Sequence, residues 1–403
     1  MILLMAWRNV WRNRVRSLVI ITSIVLGLVA GLFIMGLYEG ILSSRLTTVI
    51  EQEVGHFQLH HPAFKADYEA AYTIPGLQKI ARELAAIDHV RAASMRTVAQ
   101  GMLATSTGSA GVQIYGVEPV QEDSVSKLHQ KIIEGEGFTQ GRNQILIGKK
   151  LADKVKLRVG NKLVLTFSDE EFNIVSAAFR VAGIYQSDNT PLDERNVYVN
   201  ADDLNRLMGL EDECHEVVIL LNSDPALDEV ELRLKNTFPD LLVENWKQVS
   251  PETEMMIETT DTYSVIFVVI IMLALMFGII NTMLMAVLER TREIGMLVAL
   301  GMTKIRLFML VLWETVLLTL AGAPFGLVIS WMLIEYYGKA GIDISSFAGE
   351  AMSGFGFSSL FYPEFPWTKL LTVLYIVCFT ALVASLFPSY KALRLVPVEA
   401  MRQ

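Results

Sequence analysis

The most specific chemistry in this sequence lies in a short stretch, Glu289-Arg290-Thr291-Arg292-Glu293-Ile294-Gly295-Met296-Leu297-Val298-Ala299-Leu300-Gly301-Met302-Thr303-Lys304. A charged start, an apolar stripe (Ile294, Leu297, Val298, Leu300) and a closing Gly301 predict an amphipathic helix with a glycine stop. Such a helix either lies on a membrane or docks in a groove of a partner. Catalytic patterns are missing: no GxxxxGK[ST] loop, GxSxG elbow, HExxH or CxxC occurs. His56, His60 and His61 come nearest to a metal cluster. On a strand, His56 and His60 share a face about 14 Å apart, too far to chelate one ion, so they read as structural. Glu314 is the one acid in the third hydrophobic stretch. An ionisable group in a span marks function by default. Eight residues past Arg306, about 12 Å of helix, it is expected near the membrane interface, paired with a basic residue of the N-terminal segment.

The elements that must position these residues follow from composition. Of 403 residues 52% are hydrophobic and only 19% charged. Four blocks hold no Asp, Glu, Lys or Arg: Ser17–Tyr38, Thr262–Leu288, Thr315–Ile334 and Leu370–Tyr390. Each has the roughly 20 residues that cross a hydrocarbon core of about 30 Å. The first exceeds a signal-peptide core and lacks a small-x-small cleavage site, so it reads as a retained helix. Pairs Gly27/Gly31, Gly36/Gly40 and Gly322/Gly326 predict close helix–helix approach, within a bundle or across a dimer. Phe33 and Met35 of the first span, with Phe267, Met272 and Met276 of the second, are candidates for a flexible apolar surface that receives acyl chains.

Basic residues flank the blocks unevenly. Arg8, Arg12, Arg14 and Arg16, then Arg290, Arg292, Lys304 and Arg306, then Lys391, Arg394 and Arg402 fall on one side if all four blocks cross. By the positive-inside rule that side, with both termini, is cytoplasmic. Residues 39–261 are then extracytoplasmic, with 21 Lys+Arg against 35 Asp+Glu. An acidic face does not attract nucleic acid. Cys214 and Cys378 are the only cysteines, one in the outer domain and one in the fourth block, so no internal disulfide forms.

Hydrophobic periodicity divides the outer domain into two βαβ-like ends, with strand, helix and strand at 54–60, 76–87 and 90–105 and again at 216–221, 225–238 and 241–246. A β-rich insert lies between them at about 108–212, and Asp169-Glu170-Glu171 reads as a solvated hairpin tip. Ser250-Pro251-Glu252 starts a helix that continues as a stalk into the second span, over 250–288. The expected class is an α+β membrane protein with four transmembrane helices and a large extracytoplasmic domain of two α/β subdomains. Its segments are a cytoplasmic start (1–16), spans at 17–38, 262–288, 307–334 and 370–390, a cytoplasmic helix at 289–304, an outer loop at 335–369 and a tail at 391–403.

The stretch Arg290, Glu293, Ile294, Gly295, Leu297, Ala299, Leu300 and Gly301, with Glu289 before it, resembles the R-x-x-E-I-G-x-L-x-A-L-G coupling motif of the FtsX/MacB superfamily of ABC-transporter permeases. The opening Ala6-Trp7-Arg8-Asn9-Val10-Trp11-Arg12-Asn13-Arg14 and the ending Pro388-Ser389-Tyr390-Lys391-Ala392 with Pro397-Val398-Glu399-Ala400-Met401-Arg402 are similar to that family's termini. Gly116-Val117-Glu118-Pro119, Ile145–Lys149 and Val159–Lys162 look most like the lipoprotein-releasing LolC/LolE group. Within that group LolC has a long hairpin that captures a soluble carrier; the corresponding turn here, near Phe167–Ser176, is too short for it, which leaves a LolE-like subunit or a homodimer with another client.

The resemblance implies a MacB-like periplasmic core and a non-catalytic subunit of the bacterial inner membrane. It implies a dimer with a second permease, identical or not, on an ATPase dimer that alone binds ATP and Mg²⁺. The client would be a lipoprotein or another amphiphile, with or without a periplasmic carrier or adaptor. An FtsX-like relay to a cell-wall hydrolase and MacB-like efflux are the alternatives it leaves.

Overall fold

The computed structural model describes residues 2–12, 14–139, 141–222, 227–354, 357 and 360–393. It divides into two compact units, one of residues 1–42, 257–343 and 360–403, the other of 43–256 and 344–359. Four helices are long and apolar enough to cross a membrane: Ser17–Val54, Pro251–Glu289, Lys304–Ala340 and Trp367–Lys391. All four outrun the charge-free blocks because charged turns continue them. The helix from Pro251 runs 39 residues, about 58 Å at 1.5 Å per residue.

In the helical unit, Ile24 and Leu28 of the first span, Met272 and Ile279 of the second, Leu318 of the third and Val377 of the fourth share one core. An N-terminal helix, Ile2–Arg12, adds Ala6 and Val10 to it. Two glycine pairs serve helix contacts as expected: Gly27 and Gly31 face Met272, and Gly326 faces Leu28. Gly36 and Gly40 do not. They lie under the backbone of the loop between spans three and four, where a Cβ on Gly40 would sit 2.1 Å from the Tyr362 carbonyl oxygen. The Glu364 amide donates to the Gly36 carbonyl at 2.9 Å, and Lys369 pairs with Glu39 at 2.9 Å. That loop is a strap on the first span, and these glycines admit it rather than a second helix.

The second unit is built on twelve strands: β1 (Phe57–His60), β2 (Ile74–Pro75), β3 (Val90–Ala104), β4 (Ser109–Val117), β5 (Ile132–Gly135), β6 (Gln144–Gly148), β7 (Lys162–Ser168), β8 (Ile174–Tyr185), β9 (Asn196–Asn200), β10 (Glu213–Cys214), β11 (Glu216–Leu221) and β12 (Leu242–Asn245). The expected βαβ ends interleave. The order β12-β1-β11-β3, all antiparallel, places a strand of one end between the two strands of the other. With helices Leu77–Ala85 and Leu227–Thr237 this is a ferredoxin-like split βαβ arrangement. Ile80, Leu84, Val230 and Leu234 pack with Phe57, Leu59, Val217 and Ile219 as its core.

The insert closes on itself. Strand β3 pairs β4, then β9, β6, β8 and β7 follow in turn, and β7 returns to β3. Closure removes sheet edges. Leu103, Ile114, Ile147, Leu165, Phe179 and Val197 fill the interior. Strand β3 belongs to both parts, so they share one sheet and keep two cores. The acidic tip is the turn of the β7–β8 hairpin, between Ser168 and Ile174.

Candidate functional site

The motif segment folds as a helix, Thr291–Ala299. Arg290 breaks the backbone between it and the second span, and Gly301 at φ +93 ends it. The Met302 amide donates to the Leu297 carbonyl at 3.0 Å, the long bond of a Schellman stop, which needs a left-handed residue at Gly301. The inward face is Ile294 and Gly295, both buried, with Leu297 half-buried. The outward face is apolar as well: Met296 is 56% exposed, Leu300 79% and Ile305 72%. Glu289 and Ala299 are exposed beside them. The sequence stripe thus splits, with Leu300 turned away from Ile294. Met296 and Ile305 were not singled out in the sequence, although Met296 and Leu300 stand four apart on one helical row.

Ion pairs fix the segment from within. Glu314 is 5% exposed and pairs with Arg290 at 3.5 Å. The motif's own arginine is thus one partner of Glu314. Arg290 in turn donates to the Asn9 carbonyl at 3.3 Å, so the N-terminal helix joins through backbone. Arg12 pairs with Glu293. These groups line a cleft of about 580 Å³, with Met5, Arg8, Met283, Leu307 and Leu310 among its other walls.

The five candidate acyl-chain residues do not form one surface. Met35 and Met272 are 1% and 3% exposed and belong to the helical core. Phe33 packs edge-on to Tyr337, Met276 lies half-buried against the core, and Phe267 stacks on Tyr38 while 45% exposed. Phe267 alone of the five offers an open face. A spacing argument cannot tell lipid-facing from core positions when the whole helix is apolar.

A second constellation lies within the sheet unit. The helix ends in a π-turn, Val49–Val54, in place of the strand start expected at Val54. Glu53 pairs with Arg45 at 2.8 Å and accepts from Asn189 at 3.0 Å. Glu51 pairs with Lys127 at 2.7 Å, and these contacts hold its carboxyl below the ordinary range despite partial burial. Next to them Arg96, 4% exposed, forks onto fully buried Glu122 at 2.7 and 2.8 Å and reaches Glu216 at 3.0 Å. Burial acts to lower the Arg96 guanidinium, but the two carboxylates outweigh it and raise it. Burial likewise pushes Glu122 up, and Arg96 more than offsets this, holding it low. At Glu216 burial wins and the carboxyl is raised. The histidines have structural contacts: His56 accepts from the Leu221 amide at 3.1 Å, His60 stacks on Phe64 and His61 stacks on Tyr72. Burial drives His60 down to about 4.

Comparison with known proteins decides the family. The MacB-like periplasmic core domain matches residues 17–237, over half the chain, and the FtsX-like permease C-terminal region matches residues 265–397. The chain belongs to the FtsX-like ABC-transporter permeases. It is 24% identical to the lipoprotein-releasing system transmembrane protein LolC of Xylella fastidiosa over 303 residues, covering 71% of this chain and 72% of that one. It is 22% identical to LolE of Haemophilus influenzae over 389 residues, covering 92% and 89%. A macrolide export ATP-binding/permease protein MacB of Chlorobaculum tepidum is 34% identical over 128 residues, 31% of this chain and 16% of that one. The periplasmic region of MacB from Actinobacillus actinomycetemcomitans covers 52% of this chain at 16% identity and a TM-score of 0.36. This permease is thus a multi-pass inner-membrane subunit of an ABC transporter. Catalytic residues are not evident among its described parts.

Proposed function

We propose that this permease is the passive half of a transporter whose separate ATPase dimer binds ATP and Mg²⁺, and that it extracts a lipidated or amphiphilic client at the outer leaflet. Both termini and the Thr291–Ala299 helix would face the cytoplasm, and a second permease, identical or not, would complete the membrane core. The observation that carries the reading is the outward apolar face of Met296 and Leu300, continued by Ile305 at the start of the next helix, on a segment held by the Arg12–Glu293 and Arg290–Glu314 pairs. An exposed apolar row on a rigid support is what a groove on a partner takes up. The helix leads without a break from Glu289 back to Pro251, longer than the bilayer core is thick, so a push at its end has a stiff path outward. A lipidated client is favoured over drug efflux because the LolE match spans nearly the whole chain and the MacB sequence match about a third. Whether a periplasmic carrier or adaptor assists belongs to the same proposal.

The test is co-purification with the ATPase and permease-stimulated ATP hydrolysis. Burying a leucine is worth about 1.5–3 kcal/mol, so Leu300→Asp should cut stimulation at least about tenfold while membrane insertion is unchanged. Stimulation at the wild-type level would remove the docking assignment. A photo-crosslinker at Phe267 should capture lipid-modified protein, and capture of none would remove the client assignment.

A further inference from the structure

The cleft beside the Thr291–Ala299 helix borders the docking face at Met296, while Leu300 and Ile305 lie outside its described lining, and it has the make-up of a ligand site. Its volume of about 580 Å³ is within the usual range for ligand pockets, roughly 300–1,000 Å³. Five charged side chains line it: Arg8, Arg12, Arg290, Glu293 and Glu314. The two acids are each matched, Glu293 by Arg12 and Glu314 by Arg290. Arg8 has no ion-pair partner among the described residues and is exposed. Among the described residues the lining therefore carries one cation beyond those its acids match, above walls of Met5, Met283, Leu307 and Leu310 that suit hydrocarbon. One positive group beside an apolar trough fits an anionic amphiphile.

The helix that supplies Arg8 also fixes the level of the cleft. Ile2–Arg12 buries Ala6 and Val10 in the helical core, while Trp7 and Trp11 stay 48% and 52% exposed and Leu3 and Leu4 50% and 67%. Tryptophan and leucine on the open side, with arginines alternating, are what an interfacial helix presents to a bilayer. The mouth of the cleft then opens among lipid headgroups. We infer that the cleft is a binding site for an anionic phospholipid, its phosphodiester on Arg8 and an acyl chain along Met283 and Leu307. The inference does not depend on the docking reading.

The experiment is native mass spectrometry of the full-length permease released from bilayers of equal phosphatidylglycerol and phosphatidylethanolamine. The wild type should retain phosphatidylglycerol in preference. A basic side chain near the surface is worth about a fivefold change in lipid affinity, so Arg8→Gln should lower retention by about that factor and Arg8→Glu further. Arg306→Glu, exposed and outside the cleft lining, should leave it unchanged. No lipid preference in the wild type, or equal losses in the Arg8 and Arg306 variants, overturns the site. In a parallel arm a photo-crosslinker at Met5 should yield a phosphatidylglycerol adduct with or without the ATPase. Replacement of that adduct by an ATPase adduct would make the cleft part of the protein interface and end the inference.

Discussion

Arg96→Met tests whether the buried charge cluster is a true ion network. The guanidinium makes two short bonds to Glu122 and a third to Glu216, and Glu122 has no solvent exposure. Removing one partner of a buried pair leaves an uncompensated charge, at a cost of about 3–5 kcal/mol. The deficit must depend on pH, and its sign can be worked out. In the wild type Arg96 holds Glu122 below its ordinary pKa, so that carboxylate contributes stability above its unfolded pKa and loses it as pH falls through the folded one. Glu216, raised by burial, works in the opposite sense. In Arg96→Met the largest opposing influence is gone from both, leaving Ser94 and Ser126 against burial at Glu122 and Lys65 at Glu216, so both are raised. The variant therefore recovers stability by protonation as pH falls, and the gap to wild type narrows from pH 7 toward pH 4.5. Hydrogen exchange of β3 and β11 amides in the detergent-solubilised chain reads the gap locally. A variant as protected as wild type at pH 7, or a deficit of equal size at both pH values, would refute the charge assignment. Arg96→Lys keeps charge but not the fork and should fall between the two.

Two further outcomes are expected. Gly40→Ala forces a Cβ against backbone of the strap, which cannot rotate away, and should cost about 1–3 kcal/mol in thermal unfolding. Gly278→Ala, with open space around it, should be neutral or gain up to about 1 kcal/mol, and equal losses at both sites would argue against the strap contact. Glu314→Leu takes a buried carboxylate from half-buried Arg290, which keeps its bond to the Asn9 carbonyl, and should destabilise by about 1–3 kcal/mol, whereas Arg290→Met with Glu314→Leu should restore most of that loss. A strictly additive double-mutant cycle would show that the pair is not coupled.

The sequence shows some of this directly and hides the rest for identifiable reasons. The four spans are visible because an uninterrupted apolar run has few alternatives, and β11, fully buried, appears as Glu216–Leu221 with the bounds its pattern gives. Periodicity says which residues share a face but not which strands are neighbours. Two βαβ ends and their interleaved form have the same period, so the split arrangement and the closed barrel of the insert are out of its reach. The cluster is hidden by a related rule: a charged residue in an alternating strand, as Arg96 is in β3, reads as a solvated position. Only the distant Glu122 and Glu216 show otherwise. Gly36 and Gly40 carry a helix-pairing spacing, yet a loop crosses them, because small residues admit any close backbone.

The coupling segment shows most plainly where pattern stops and packing begins. Its motif marks a helix and its stop, and both are present at Thr291–Ala299 and Gly301. Pattern alone would turn Ile294, Leu297 and Leu300 to one side. Glu314, 24 residues beyond Arg290, and Arg12 on a different helix set the rotation instead. The Arg290–Glu314 pair draws Arg290 inward and the exposed Arg12–Glu293 pair ties the helix to its neighbour, with Ile294 and Gly295 buried between. Met296, at the rim of the cleft, and Leu300 are then left exposed. The exposed apolar row is thus a consequence of charge pairing behind it, so neutralising Glu314 should alter the outward face without touching a residue on it. A loss of ATPase stimulation by Glu314→Leu, restored with stability in the double variant, would tie the pair to docking, and stimulation that stays at wild-type level while stability falls would separate them.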